Sequence, residues 1–137
     1  MIEWMDAMKT AIVAGASLLC LGLCAPALAA TEAELCKFMK DTATGFVGKD
    51  GQQMVDKVTR ADKATVDCAA KTAAFSLSIL VDSPKMNAGW QNTLKGSWDK
   101  TVCGNKTLAE AVKGGWKISV GWTLADKVDY HAETACP

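Results

Sequence analysis

His131 is the only histidine in the 137-residue chain, so any imidazole acid–base or metal chemistry must run through it. It stands between Asp129 and Glu133 at a spacing of two. In an extended strand that spacing brings all three side chains to one face. Two carboxylates beside an imidazole could orient a general base or offer ligands to a cation. The same alternation is also what the solvated face of an antiparallel hairpin requires. The bland reading is preferred, because no nucleophilic constellation accompanies the histidine. Asp129, His131 and Glu133, together with Trp116, form the candidate surface patch.

Other chemistry is poorly represented. The four cysteines beyond residue 30 lie more than 30 residues apart with no Cys-x-x-Cys pair, and the acidic residues are scattered, so neither a zinc site nor a calcium loop is expected. Gly104, Asn105, Lys106 and Thr107 lack the upstream glycine of a phosphate-binding loop, and no cofactor is expected. Asn105, Lys106 and Thr107 match a glycosylation sequon, a pattern short enough to arise by chance. The chain balances 15 basic against 15 acidic residues. With the signs interspersed, nothing in this balance argues for nucleic acid or an anionic membrane as partner. No catalytic residue is assigned, and the expected class is non-enzymatic.

The tryptophans are the most suggestive residues. Trp90, Trp98, Trp116 and Trp122 could form a platform for glycan or peptide, or could fill the core of a small two-layer domain. The core is favoured, with Trp116 expected to be partly exposed at a strand edge and Trp98 next. Met86, Trp90, Leu94, Trp98 and Val102 recur every four residues, which lines them along one helix face. Ser83 as N-cap, Pro84 in the first turn and Gly104 in a left-handed exit would bound that helix, at 84–103.

The elements around it follow from patterning. Thr31 and Glu34 suggest a capping box opening a helix over 31–44 that stops at Gly45. A first strand over 54–60 and a turn at Ala61, Asp62 and Lys63 precede a strand carrying Ala64, Val66 and Cys68. The apolar parity flips near Lys71 and Thr72, which requires a turn or bulge, and a turn is preferred before a strand over 74–81. A short helix over 105–112, with Thr107 and Glu110 as a capping box, leads to a C-terminal hairpin. There Trp116, Ile118, Val120 and Trp122 share one face, as do Val128, Tyr130, Ala132, Thr134 and Cys136 of the return strand. Matching the two sets demands an odd-length loop near 124–127, which pairs Trp122 with Val128 or Tyr130; Asp126 is the candidate for its left-handed position.

Residues 1–29 read as a secretory signal, with cleavage after Ala29 or Ala30; translation starting at Met8 would give a better n-region. Leucine precedes both Cys20 and Cys24, so lipid attachment is not expected. The remainder, 30–137, is one small domain that retains Cys36, Cys68, Cys103 and Cys136. An even number of cysteines in an exported chain implies two disulfides. Thr59 to Lys63 and Thr123 to Lys127 differ only in their second residue, and the two cysteine intervals are nearly equal. This faint repeat favours Cys36–Cys68 and Cys103–Cys136.

The expected architecture is α+β: a two-layer domain with an antiparallel sheet of four or five strands, helices on one face and two disulfides. The expected role is a periplasmic or secreted protein-binding or accessory domain with an envelope protein as partner and no membrane insertion after signal cleavage. An inhibitor or immunity-type protein against an envelope enzyme is the alternative. A small hydrolase or glycan-binding protein using His131 is the second alternative.

Overall fold

The computed structural model describes residues 31–137; the proposed signal segment, its cleavage site and the Met8 start lie outside them. The chain forms an α+β domain with a five-stranded sheet in the order β1-β2-β3-β4-β5. The strands are β1 (Gln53–Met54), β2 (Thr59–Asp67), β3 (Thr72–Ile79), β4 (Lys117–Leu124) and β5 (Asp129–Glu133). The helices are α1 (Glu32–Val47), α2 (Trp90–Cys103) and α3 (Lys106–Lys113), and one hydrophobic cluster joins their apolar faces to the inner face of the sheet.

Helix α1 starts as its residues dictate: the Thr31 hydroxyl accepts from Glu34 N at 3.2 Å, and Glu32 and Glu34 sit in the first turn. Their carboxylates favour the positive end of the helix dipole. The helix does not stop at Gly45. It continues to Val47, which delivers Phe46 to the core at 2 % exposure. The stop is Gly48 at φ 74°, where an added Cβ would also lie 2.8 Å from the Gln53 side chain. That side chain matters, because Gln53 Nε2 donates to the carbonyls of Gly45 and Phe46 and so satisfies the helix end.

The turn expected at Ala61, Asp62 and Lys63 is absent. Those residues run inside β2, and the register against β3 slips between Ala61 and Lys63, so Asp62 is a bulge. Its carboxylate accepts from Arg60 Nε and from the Ser78 hydroxyl of β3. The turn sits where the parity flips: Asp67 Oδ1 accepts from Ala70 N, and Lys71 takes φ 54°. The repeat therefore has no structural counterpart, since Thr59 to Lys63 is strand and its echo enters the β4–β5 loop.

Strands β3 and β4 are parallel, from Thr72↔Lys117 to Ile79↔Leu124. Every other pair is antiparallel, as expected. A parallel pair needs a long crossover, and α2 and α3 supply it. Helix α2 begins at Trp90, later than expected. Ser83 opens a short 3-10 turn instead, giving its N–H and hydroxyl to the Asp126 carboxylate at 3.1 and 2.6 Å. Gly89, at φ 77°, precedes the helix proper. Gly104 is right-handed at φ −74°; glycine is needed there because a Cβ would approach the Lys100 carbonyl to 2.7 Å. Asn105, rather than Thr107, caps α3 by accepting from Leu108 N at 3.1 Å.

The hairpin pairs Trp122 with Tyr130 and Thr123 with Asp129, which is the parity-matched odd loop. Lys127 at φ 67°, not Asp126, takes the left-handed position. The disulfides are Cys36–Cys68 and Cys103–Cys136, each with Cα atoms 5.5 Å apart. Each closes a loop long enough to stabilise the fold by about 3–4 kcal/mol in the chain-entropy account.

Two predictions follow from these contacts. Trp98 Nε1 donates to the buried Thr134 hydroxyl at 2.8 Å. Trp98→Phe strands that hydroxyl and should cost about 1–2 kcal/mol in urea unfolding, part of which Thr134→Val in the same chain should restore. The Ser83 hydroxyl holds the Asp126 carboxyl below its ordinary range. A depressed folded value adds stability above the unfolded value, and that stability is lost as pH falls through the folded one. Asp126→Asn should therefore lower stability at neutral pH and flatten its decline below about pH 4, as read by urea unfolding across a pH series.

Candidate functional site

Strand parity divides the sheet cleanly. Ala73, Phe75, Leu77 and Ile79 of β3, and Ile118, Val120, Trp122 and Leu124 of β4, are buried beneath the helices. The alternate residues form the outer face. Its middle is built from small side chains, Ala74, Ser76 and Ser78 on β3 and Ser119, Gly121 and Thr123 on β4. Its two sides are charged: Arg60, Asp62 and Lys63 on β2, and Asp129 and Glu133 on β5.

Asp129, His131 and Glu133 are all exposed on this face. His131 pairs with Gly121, and its ring lies over that glycine, so close that a Cβ there would stand 2.7 Å from Nδ1. The imidazole thus leans inward over β4 and, among the described residues, leaves the outer side of β5 clear. No hydrogen bond joins it to a carboxylate or hydroxyl among the described residues. Nor is any group of three or more His, Cys, Asp or Glu side chains among them placed to hold a metal ion. The three residues share a face without forming an oriented base.

Trp116 does not belong to the patch. It is 5 % exposed and lies on the inner side of the sheet. Its main-chain N–H donates to the carbonyl of Ala111, and Leu108 and Ala111 of α3 are buried in the same cluster. The Gly114 and Gly115 exit folds α3 back over the start of β4, which covers a ring that an isolated hairpin would expose. Trp98 is buried too.

The topology places β5 at one margin of the sheet. Its hydrogen-bond phase is fixed at both ends: Thr134 N donates to Ile118 O at 2.8 Å, and Leu124 N donates to Val128 O at 2.9 Å. Antiparallel strands alternate bonded and outward-facing residues. Tyr130 and Ala132 therefore bond β4, while the main-chain groups of Asp129, His131 and Glu133 point away from the sheet. Beyond Glu133 the margin closes. The Ala135 N–H is taken by Asp99 Oδ1 of α2, and Cys136 is tied to Cys103. The opposite margin, β1, has only two residues. Sequence patterning finds the three outer residues but not their place at the margin; alternating charge on a short strand is the available signal.

A second feature is an apolar cleft of about 100 Å³ between α2 and the β1–β2 connection. Phe46, Leu77, Trp98 and Trp122 form its floor, and Val55, Leu94 and Ser97 stand among its walls. Asp56 shapes the connection by accepting from Val58 N and Thr59 N. The Trp98 N–H is already committed to Thr134, so the floor presents ring carbon.

No family model matches the chain, and no curated protein matches it. Among solved structures, the fold is similar to the crystal structure of a Pseudomonas aeruginosa protein provisionally described as secreted. The TM-score is 0.55 at 12 % identity, over 74 % of this chain and 89 % of that one. At that identity the likeness establishes a shared fold, and the two disulfides fit a chain that matures in an oxidising, exported setting.

Proposed function

We propose that this is a periplasmic, non-enzymatic protein-binding domain that receives an extended segment of an envelope partner along β5. The observation that carries the proposal is the row of outward main-chain groups at Asp129, His131 and Glu133, on a strand with no neighbour on that side among the described residues. Such a row is a template for strand addition, in which main-chain bonds supply affinity and alternate side chains supply selectivity. A fold crosslinked at Cys36–Cys68 and Cys103–Cys136 presents it without ordering cost in the receptor. The inward lean of His131 over Gly121 keeps the approach open.

The test uses a substitution that spares the fold. Proline is tolerated on a margin strand where the N–H faces solvent. His131→Pro removes one outward donor and leaves the β4–β5 bonds of Tyr130 and Ala132 in place. Crosslinked capture from the periplasm should yield an envelope protein with the parent chain. His131→Pro should lower that capture at least tenfold, with its circular dichroism and urea midpoint little changed. Binding of the captured protein should slow amide exchange at Asp129, His131 and Glu133. Equal capture by both chains, or protection elsewhere alone, would sink the reading.

A further inference from the structure

Resting on that docking reading, we infer the chemistry of the segment that β5 receives: basic side chains at its first and fifth positions, apolar ones at its second and fourth. An antiparallel strand laid beside β5 sets those first, third and fifth residues opposite Glu133, His131 and Asp129, with side chains on the outer face. Asp129 and Glu133 are exposed, and neither forms an ion pair among the described residues. Their partners across β4 are the neutral Thr123 and Ser119. Lys117 stands only diagonally from Glu133. Two uncompensated carboxylates thus lie about 13 Å apart along the margin, four residues at the strand rise.

The inner side sets the other two positions. Tyr130 and Ala132 are half-buried where the core reaches the margin. The Tyr130 ring stacks on Trp122 at 5.7 Å, and Trp90 meets it edge-on at 6.0 Å. The second and fourth side chains of an added strand would come to rest beside Ala132 and Tyr130, where apolar groups extend the core. A second copy of this chain fits badly. Self-pairing centred on His131 would set Asp129 opposite Glu133 twice, and directly opposed like charges oppose pairing.

The probe is the capped peptide Thr-Thr-Lys-Val-Thr-Val-Lys-Thr-Thr, compared with twins carrying Glu or Ser in place of both Lys. Amide shifts are followed in titrations at low and high salt. The Lys peptide should move the amides of Asp129, His131 and Glu133 and bind roughly tenfold or more tighter than the Glu twin. Salt should narrow that gap. Asp129→Asn with Glu133→Gln should weaken the Lys peptide roughly five- to twentyfold and leave the Ser twin unchanged. Equal binding of Lys and Glu peptides, or a double variant that binds the Lys peptide as the parent does, overturns the charge assignment while leaving edge docking to the His131→Pro result. Failure of all three peptides to shift the β5 amides at millimolar concentration overturns it as well. Loss of partner capture in His131→Pro combined with indifference to charge would mean that the edge is used by a segment of other chemistry.

Discussion

The contact on which the domain depends is the one between Trp98 of α2 and the C-terminal hairpin. The indole packs against Phe75 at 5.4 Å and Phe46 and Trp122 at 6.4 Å, so one ring touches α1, β3 and β4. Its single polar atom is satisfied by Thr134, just past β5. Burying a tryptophan this fully is favourable only when that N–H finds a partner. The stacked Trp122–Tyr130 pair and the edge-on Trp90 extend the ring contacts to the margin of the sheet. The Cys103–Cys136 bridge then fixes the two elements at the same end as the Trp98–Thr134 bond. Apolar rings, the Trp98–Thr134 and Ala135–Asp99 hydrogen bonds and one crosslink thus act on the same pair of elements.

Much of this was legible because it is periodic. The four-residue spacing of Trp90, Leu94, Trp98 and Val102 selects the face of α2 that turns inward. The parity of Trp122 and Tyr130 selects the loop length of the hairpin, and the flip near Lys71 locates a turn. What could not be read is decided by residues distant in the chain. Asp62 looks like a turn residue until Ser78, sixteen positions on, takes its carboxylate and makes it a bulge. Ser83 looks like a helix cap until Asp126, 43 positions on, takes its hydroxyl. The helix consequently starts at Trp90, and Met86 falls outside it. Gly104 shows a different failure: glycine was the right residue at the right place, but close approach to Lys100 requires it, not a left-handed backbone.

The candidate site divides along the same line. Alternation alone puts Asp129, His131 and Glu133 on the solvated face. Their position at the sheet margin depends on the strand order, and that depends on a parallel β3–β4 pair that short-range patterning does not announce. Trp116 was misplaced for the converse reason. Its neighbours Gly114 and Gly115 suggest an open end, whereas they are the joint that lets α3 lie back over it.

The core seam and the open margin are two outcomes of one arrangement. Helix α2 closes the sheet margin only where it reaches: Asp99 takes the Ala135 N–H, and Cys103 holds Cys136. Because α2 enters near Trp90, its first turn meets the Tyr130 ring on the inner face and does not wrap around β5. Among the described residues, the outward main-chain groups of Asp129, His131 and Glu133 are therefore left uncovered by the same helix that orders the core beneath them. An unprotected margin invites association with other copies, and the two carboxylates at Asp129 and Glu133 oppose that outcome without blocking the strand itself. A charge pattern that repels its own kind while leaving the hydrogen-bonding groups free suits the proposed docking role better than simple edge protection does. Under that proposal it is the complement of the pattern, not its mere presence, that defines the segment to test.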